Sequence, residues 1–332
     1  MTLTTVLLMS VPLALLCLLL GLIYKGIDRR LGARMQARTG PPVMQPLRDI
    51  RKLMLKENIV PKHAVPWLFS LMPVVALGST LALLMYVPLF GQAPLLGSYG
   101  DMVSVLYMLL IPSLTLVIGG FVSSSPYAVV GAQREMVTMI SYEFPLAITI
   151  VAFAWLASVA APGSAAFAFS TFSAVPVWSM TSILGSCGLI ILFAVMIVVT
   201  SGEMGAVPFD AAEAETEIAG GLLSEYSGRN LALFYMASAV KMVVLGSVII
   251  ALFLPFGISG YAGLEGMAAQ AADAGFFLLK LFAVIFAAST FPRVAVPRLR
   301  ITQIVKMYWV YATAAAIIGL TLIGIDVLVE AI

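Results

Sequence analysis

The stretch 201–228, SGEMGAVPFDAAEAETEIAGGLLSEYSG, gathers Glu203, Asp210, Glu213, Glu215, Glu217 and Glu225 and holds no lysine or arginine. Carboxylates clustered in a partly desolvated place raise one another's pKa, so that some hold protons near neutral pH. That is the chemistry of a proton path. Pro208, with Gly202 and Gly205, breaks the apolar run before it. FDAAEAETEIAGGLL then reads as a helix with Asp210 near its N-terminus, which favours negative charge. On such a helix Asp210, Glu213 and Glu217 share one face and Glu215 turns away. An acidic loop bonded to a basic partner, or neutralised by the arginines of 25–65, fits the same spacing.

A second charged connection, 121–145, carries Arg134, Glu135 and Glu143. Glu143 stands just before Pro145 at the edge of an apolar segment, and an ionisable group at membrane depth usually faces the bundle interior or water. An ion pair with Arg134 is the structural alternative. Lys241 lies deep inside the apolar segment 231–256. A lysine there costs roughly 2.5–3.5 kcal/mol on insertion scales, so it requires a carboxylate or water partner inside the bundle. Lys280 lies near a segment boundary and can snorkel, so no role is assigned to it.

The elements that position these groups are membrane spans. Hydrophobic residues make up 61% of the 332-residue chain, charged residues 10%, and mean hydropathy is +1.07. The reading is an all-α polytopic membrane protein, a single membrane domain over 1–332. Its spans are expected at about 3–24, 66–87, 102–121, 144–161, 181–200, 231–256, 275–291 and 307–328. The first segment lacks a basic flank before it and a cleavage site after it, so it is kept as a span. All lysines and arginines except Lys241 and Lys280 fall on connections of one parity. The positive-inside rule then puts the charged loops in the cytoplasm and both termini outside a cytoplasmic (inner) membrane.

The basic connection 25–65 includes PLRDIRKLMLKENI, with Leu47, Ile50, Leu53 and Met54 on one helical face. It suits an amphipathic helix at the membrane surface, bound to lipid headgroups and open to a docking partner. Cys17 and Cys187 both fall in apolar runs, and His63 is the single histidine, which excludes paired-imidazole haem ligation within the chain. No phosphate loop, hydrolase triad or nucleic-acid signature is present.

Four segments, ARTGPPVMQPLRDIRKLMLKENIVP, SPYAVVGAQREMVTMISYEFPL, PFDAAEAETEIAGGLLSEYSG and PRLRITQI, stand in order between the expected spans. Together they resemble the H subunit of respiratory complex I. They equally resemble its counterparts in energy-converting (Ech- and formate hydrogenlyase-type) nickel–iron hydrogenases. The resemblance implies a membrane anchor beneath a peripheral redox arm, whose acidic loops couple electron transfer to translocation of protons or sodium. It implies a coupling path through Glu203, Asp210, Glu213, Glu215, Glu217, Glu225, Glu143 and Lys241. It also implies a junction with the redox arm at Arg134, Glu135, Arg38, Gln45 and Asp49. No cofactor or metal site is implied in this chain. A nickel–iron centre and iron–sulfur clusters would sit on partners: the hydrogenase large and small subunits and an iron–sulfur subunit, alongside antiporter-like membrane subunits. In EMGAVPFD, Ala206 stands where the quinone-using branch has an arginine, which favours the hydrogenase branch. The quinone-binding H subunit of a respiratory NADH dehydrogenase is the alternative, and a stand-alone secondary transporter the second.

Overall fold

The computed structural model describes residues 3–97, 99–160, 165–174 and 176–330. Eight helices among them are long and apolar enough to cross a membrane. In chain order they are Leu8–Met35, Pro66–Leu83, Met102–Val122, Pro126–Val159, Ile183–Glu203, Gly228–Phe253, Gly266–Ala295 and Ile301–Val329. No strand forms among the described residues, so the protein is an all-α polytopic membrane protein.

Proline marks the starts of the second and fourth spans, where its missing N–H costs nothing. The third starts on Asp101, whose carboxylate accepts from the Ser104 amide at 2.9 Å. The sixth span is the axis of the bundle: 89% of its apolar window is buried, against at most 56% in any other span. The first, second and seventh spans pack on it, the third packs on the second and the fourth on the third, while the fifth pairs with the eighth. Small residues let the backbones close up, as membrane helices require when apolar burial does not distinguish protein from lipid. A Cβ on Gly188 of the fifth span would lie 2.7 Å from the Gly319 carbonyl of the eighth.

Three expectations are corrected. The first and fourth helices run far beyond the stretches that hydropathy marks as spans. The first continues to Met35, carrying Lys25, Asp28, Arg29, Arg30 and Arg34, and the fourth starts at Pro126 rather than 144. Arg134, Glu135 and Glu143 are therefore on one rod of 35 residues, about 50 Å long. Polar residues lower hydropathy without ending a helix, and nothing in AVVGAQREMVTMI stops one.

The acidic stretch does not form the expected helix. Only Glu215–Ile218 is α-helical, a single 3-10 turn follows at Gly221–Leu223, and the chain before them makes turns. Tertiary contacts override propensity here. Ala211, Ala212 and Ala214 are buried, and the Ala211 and Ala212 carbonyls accept from the Arg134 guanidinium (3.2 Å) and the Leu222 amide (3.4 Å). Gly221, at φ +50°, lies so close to the Ala212 carbonyl that a side chain would collide with it.

Lys280 does not snorkel. It is buried, donates to the Leu254 and Phe256 carbonyls at 2.7 and 2.8 Å, and sits over the Phe276 ring. It thereby caps the end of the sixth span, where a cation complements the helix dipole. Trp178 adds a 2.6 Å bond to the Phe253 carbonyl at the same end. At the start of the fifth span, buried Asp326 of the eighth accepts from both the amide and the hydroxyl of Ser182.

The surface helix forms over Gln45–Leu55, packed on the first and sixth spans. Leu47, Ile50 and Leu53 are half-buried, whereas Met54 is exposed.

Candidate functional site

Where the fifth span ends, the chain places a carboxylate in the least favourable position of a helix. Glu203 is its last residue, beside the negative end of the dipole, and is almost completely buried. The opposing charge comes from the central span: Lys241 Nζ lies 3.3 Å from Glu203 Oε1, with both side chains buried. Lys241 also donates to Ser113 Oγ at 2.8 Å, and Ser113 is 3.2 Å from the Tyr142 hydroxyl. Glu203 Oε2 has no hydrogen-bond partner among the described residues. The pair is thus neutralised but not saturated.

This pair lies at a cavity of about 330 Å³. Lys25, Asp28, Arg29, Asp49, Glu135, Glu203, Asp210, Glu213, Lys241 and Arg293 line it, with Ala206 and Tyr235 among their neighbours. A volume of that size holds roughly ten waters at the liquid's share of about 30 Å³ each. The first span, the surface helix, the fourth span, the 204–214 turns and the central span converge to build it.

Of the residues singled out from sequence, Glu203, Asp210, Glu213, Lys241, Glu135 and Asp49 meet in this cavity. Asp210 pairs with Arg298 at 2.9 Å. Enclosure by the protein raises the Asp210 carboxyl above its ordinary range, with Arg298 opposing. Enclosure likewise raises Glu213; Lys25 opposes, and Asp210 and Glu215 reinforce. The Glu213 side chain is reached by solvent yet surrounded by protein, as a group on a cavity wall is. Asp49 accepts from Gln45 at 2.8 Å and pairs with Arg29 at 3.4 Å.

The others stand apart. Glu215 is exposed, and Glu225 is half-buried outside the lining. Glu217 pairs at 2.5 Å with Arg134, which is therefore not the partner of Glu143. Glu143 is half-buried, with Oε1 unpartnered among the described residues. Arg38 is exposed beyond the end of the first helix.

Sequence reasoning missed Asp28, which is buried and accepts from Arg293 (2.8 Å), Ser289 (3.1 Å) and Thr290 (2.8 Å). It also missed Lys25, which donates to Ser238 at 2.8 Å. Both were readable: Lys25 and Asp28 are three apart, on one face of a helix continued past residue 24. Ser113 and Tyr142 carry no such signal, being ordinary polar residues in apolar runs. Among the described residues no three His, Cys, Asp or Glu side chains converge as a metal site.

Comparison with known proteins identifies the architecture. The family model described as NADH dehydrogenase matches residues 7–324. The chain belongs to the NADH dehydrogenase family. Hydrogenase-4 component C of Escherichia coli (strain K12) is 36% identical over 248 residues, 74% of each chain. The H subunit of the NADH-quinone oxidoreductase of Brevibacillus brevis is 30% identical over 335 residues, 98% of this chain and 94% of that one. Among solved structures, a chain of the membrane-bound sulfane sulfur reductase, an archaeal respiratory membrane complex, superposes with a TM-score of 0.82 at 28% identity. That match covers 96% of this chain and 99% of the other. This member of the NADH dehydrogenase family is a multi-pass membrane component of a complex I-like assembly, and its partners are the other subunits of that assembly. A stand-alone transporter has no support among these relatives.

Proposed function

We propose that this chain is the membrane anchor and coupling subunit of an energy-converting hydrogenase, and that the charged cavity turns a redox event in a docked arm into ion translocation. The observation that carries this reading is the Glu203–Lys241 pair: buried, set among the ionisable groups of the cavity lining, and left with one carboxylate oxygen unpartnered. A charge change at the cavity mouth alters the field at Glu213 and Asp210, which shifts Lys25 and Arg298, and so on inward to Glu203. Each group biases its neighbour through a protein interior where a unit charge a few ångströms away is felt strongly. Glu143, half-buried on the fourth span, would pass the ion onward, while Glu215, Glu217 and Glu225 hold the rim.

Half-buried Arg134 and the exposed Glu217 it holds would form part of the junction with the redox arm, with Glu135, Arg38, Gln45 and Asp49. On this reading the charged connections face the cytoplasm and both termini lie outside. The nickel–iron centre and iron–sulfur clusters belong to the large, small and iron–sulfur subunits, and antiporter-like subunits complete the membrane arm. Ala206 on the cavity wall supports the hydrogenase branch: the lining has many charges and no arginine where the quinone branch places one. The similarity to a component of a quinone oxidoreductase over almost the entire chain supports the second reading, a quinone-reducing complex.

The test is to purify the chain with its companions from native membranes in mild detergent, identify them by mass spectrometry, and measure nickel, iron and quinone. Nickel with a large hydrogenase subunit sustains the reading. Iron and quinone without nickel replace it with the second. Glu213→Gln should abolish coupled turnover in an assembled complex, and unchanged coupled turnover removes Glu213 from the path.

A further inference from the structure

We infer that the Ser113–Tyr142 hydroxyl pair is a second station for the Lys241 ammonium, holding it when Glu203 takes up a proton. The inference rests on the coupling role of Glu203 proposed above and adds two positioning residues to it. Lys241 lies nearer a neutral hydroxyl than its own counter-ion, 2.8 Å from Ser113 Oγ against 3.3 Å from Glu203 Oε1. A relaxed ammonium–carboxylate bond is about 2.7–2.9 Å, so the cation is drawn away from the carboxylate. Ser113 is nearly inaccessible, as is Tyr142, and they face each other at 3.2 Å from the third and fourth spans. Ser113 follows Pro112 on the third span, and the partners of its hydroxyl are Lys241 of the sixth span and Tyr142 of the fourth.

The two kinds of partner differ in what they tolerate. A hydroxyl carries one proton and two lone pairs, so it can accept from an ammonium or donate to a neutral amine by rotating alone. With Lys241 charged, Ser113 accepts from it and either donates to Tyr142 or accepts a second time from it. With Lys241 neutral, Ser113 donates to it and accepts from Tyr142. The carboxylate of Glu203 can only accept, and its charge attracts only the cation. Protonating Glu203 therefore removes one of the two anchors of Lys241 and leaves the hydroxyl pair as the other. The charged and titratable groups that face this set are Glu203 from the fifth span, Glu135 and Glu143 from the fourth, and Tyr308 from the eighth. Tyr308 stands edge-on to Tyr142 with ring centroids 6.1 Å apart, its hydroxyl bonded to the Val198 carbonyl at 3.0 Å.

The experiment compares Ser113→Ala, Ser113→Thr, Tyr142→Phe and Glu203→Gln in the assembled complex in inverted membrane vesicles. It follows redox turnover and proton uptake between about pH 5.5 and 8.5, a range wide enough to see a displacement of about one unit. With Ser113→Ala the cation is left to the carboxylate alone and tightens on it. Coupled turnover should fall about tenfold, the effect of about 1.4 kcal/mol on a barrier, and its pH optimum should move to lower pH. Tyr142→Phe should do the same to a lesser degree, and Ser113→Thr should restore both rate and optimum. A wild-type optimum in Ser113→Ala, or a slower rate with no displacement of the optimum, overturns the inference. Unaltered coupling in Glu203→Gln overturns the path reading instead, so the two failures are distinct.

Discussion

Two buried lysines divide the molecule. Lys280, at one end of the sixth span, has its charge met by two backbone carbonyls and an aromatic face. Lys241, inside the same bundle, has a serine hydroxyl, a distant carboxylate oxygen and a cavity wall. Carbonyls have fixed dipoles and do not titrate at accessible pH, so the hydrogen-bond partners of Lys280 have one arrangement. The Lys241 end has partners that gain, lose or redirect protons. Burial of charge is common to both; what separates structure from function is whether the partners can change state.

The largest expected effect breaks the Lys241 end. Lys241→Met leaves the Glu203 carboxylate buried with no counter-charge, a loss of about 3–5 kcal/mol for removing one member of a buried pair. The assembled complex should fail to accumulate, as read by blue-native electrophoresis. Adding Glu203→Gln should recover assembly but not coupled turnover; recovery of turnover would make the pair merely structural.

A smaller effect should mark the other end. Lys280→Met strands the Leu254 and Phe256 carbonyls and should lower stability by about 2–3 kcal/mol, the scale for bonds to a charged group. The thermal midpoint of the purified complex should fall while the pH profile of coupled turnover stays in place. A displaced profile would erase the distinction between the two lysines.

The smallest effect sharpens it. The carboxyls of Glu213 and Asp210 are raised in the folded protein. Between the ordinary carboxylate value and the raised one, the native state binds more protons than the unfolded state, so stability declines as pH rises through that window. Glu213→Gln should flatten this decline, read as thermal midpoint against pH above about 4.3, the ordinary glutamate value. An unchanged slope would mean that enclosure of Glu213 carries no energetic weight.

The eight spans and their order were legible because hydropathy reports apolar length directly, and the acidic stretch was legible as a concentration of charge. Lys241 was legible for its depth. What escaped was any feature set by tertiary packing. The helix expected through Asp210, Glu213 and Glu217 gives way to turns because Arg134 and Leu222 take its carbonyls, and no local pattern announces that. Asp28 was hidden by ending a helix where its apolar run ends. Ser113 and Tyr142 acquire meaning only from the lysine that a third helix brings against Ser113.

The fourth helix also has a mechanical consequence. Its 35 residues form one rod from Pro126 to Ala160, with Arg134 clasped to the rim acid Glu217 and Tyr142 and Glu143 farther along. A helix resists compression along its axis, so a push received at Arg134 reaches Tyr142, about 12 Å away, with little attenuation. Pro145 interrupts the hydrogen-bond ladder just beyond, and Thr149 turns its hydroxyl to the Pro145 carbonyl. Displacement of the rim would therefore be delivered to the Tyr142 hydroxyl that faces Ser113, just short of the break in the ladder at Pro145 midway along the rod.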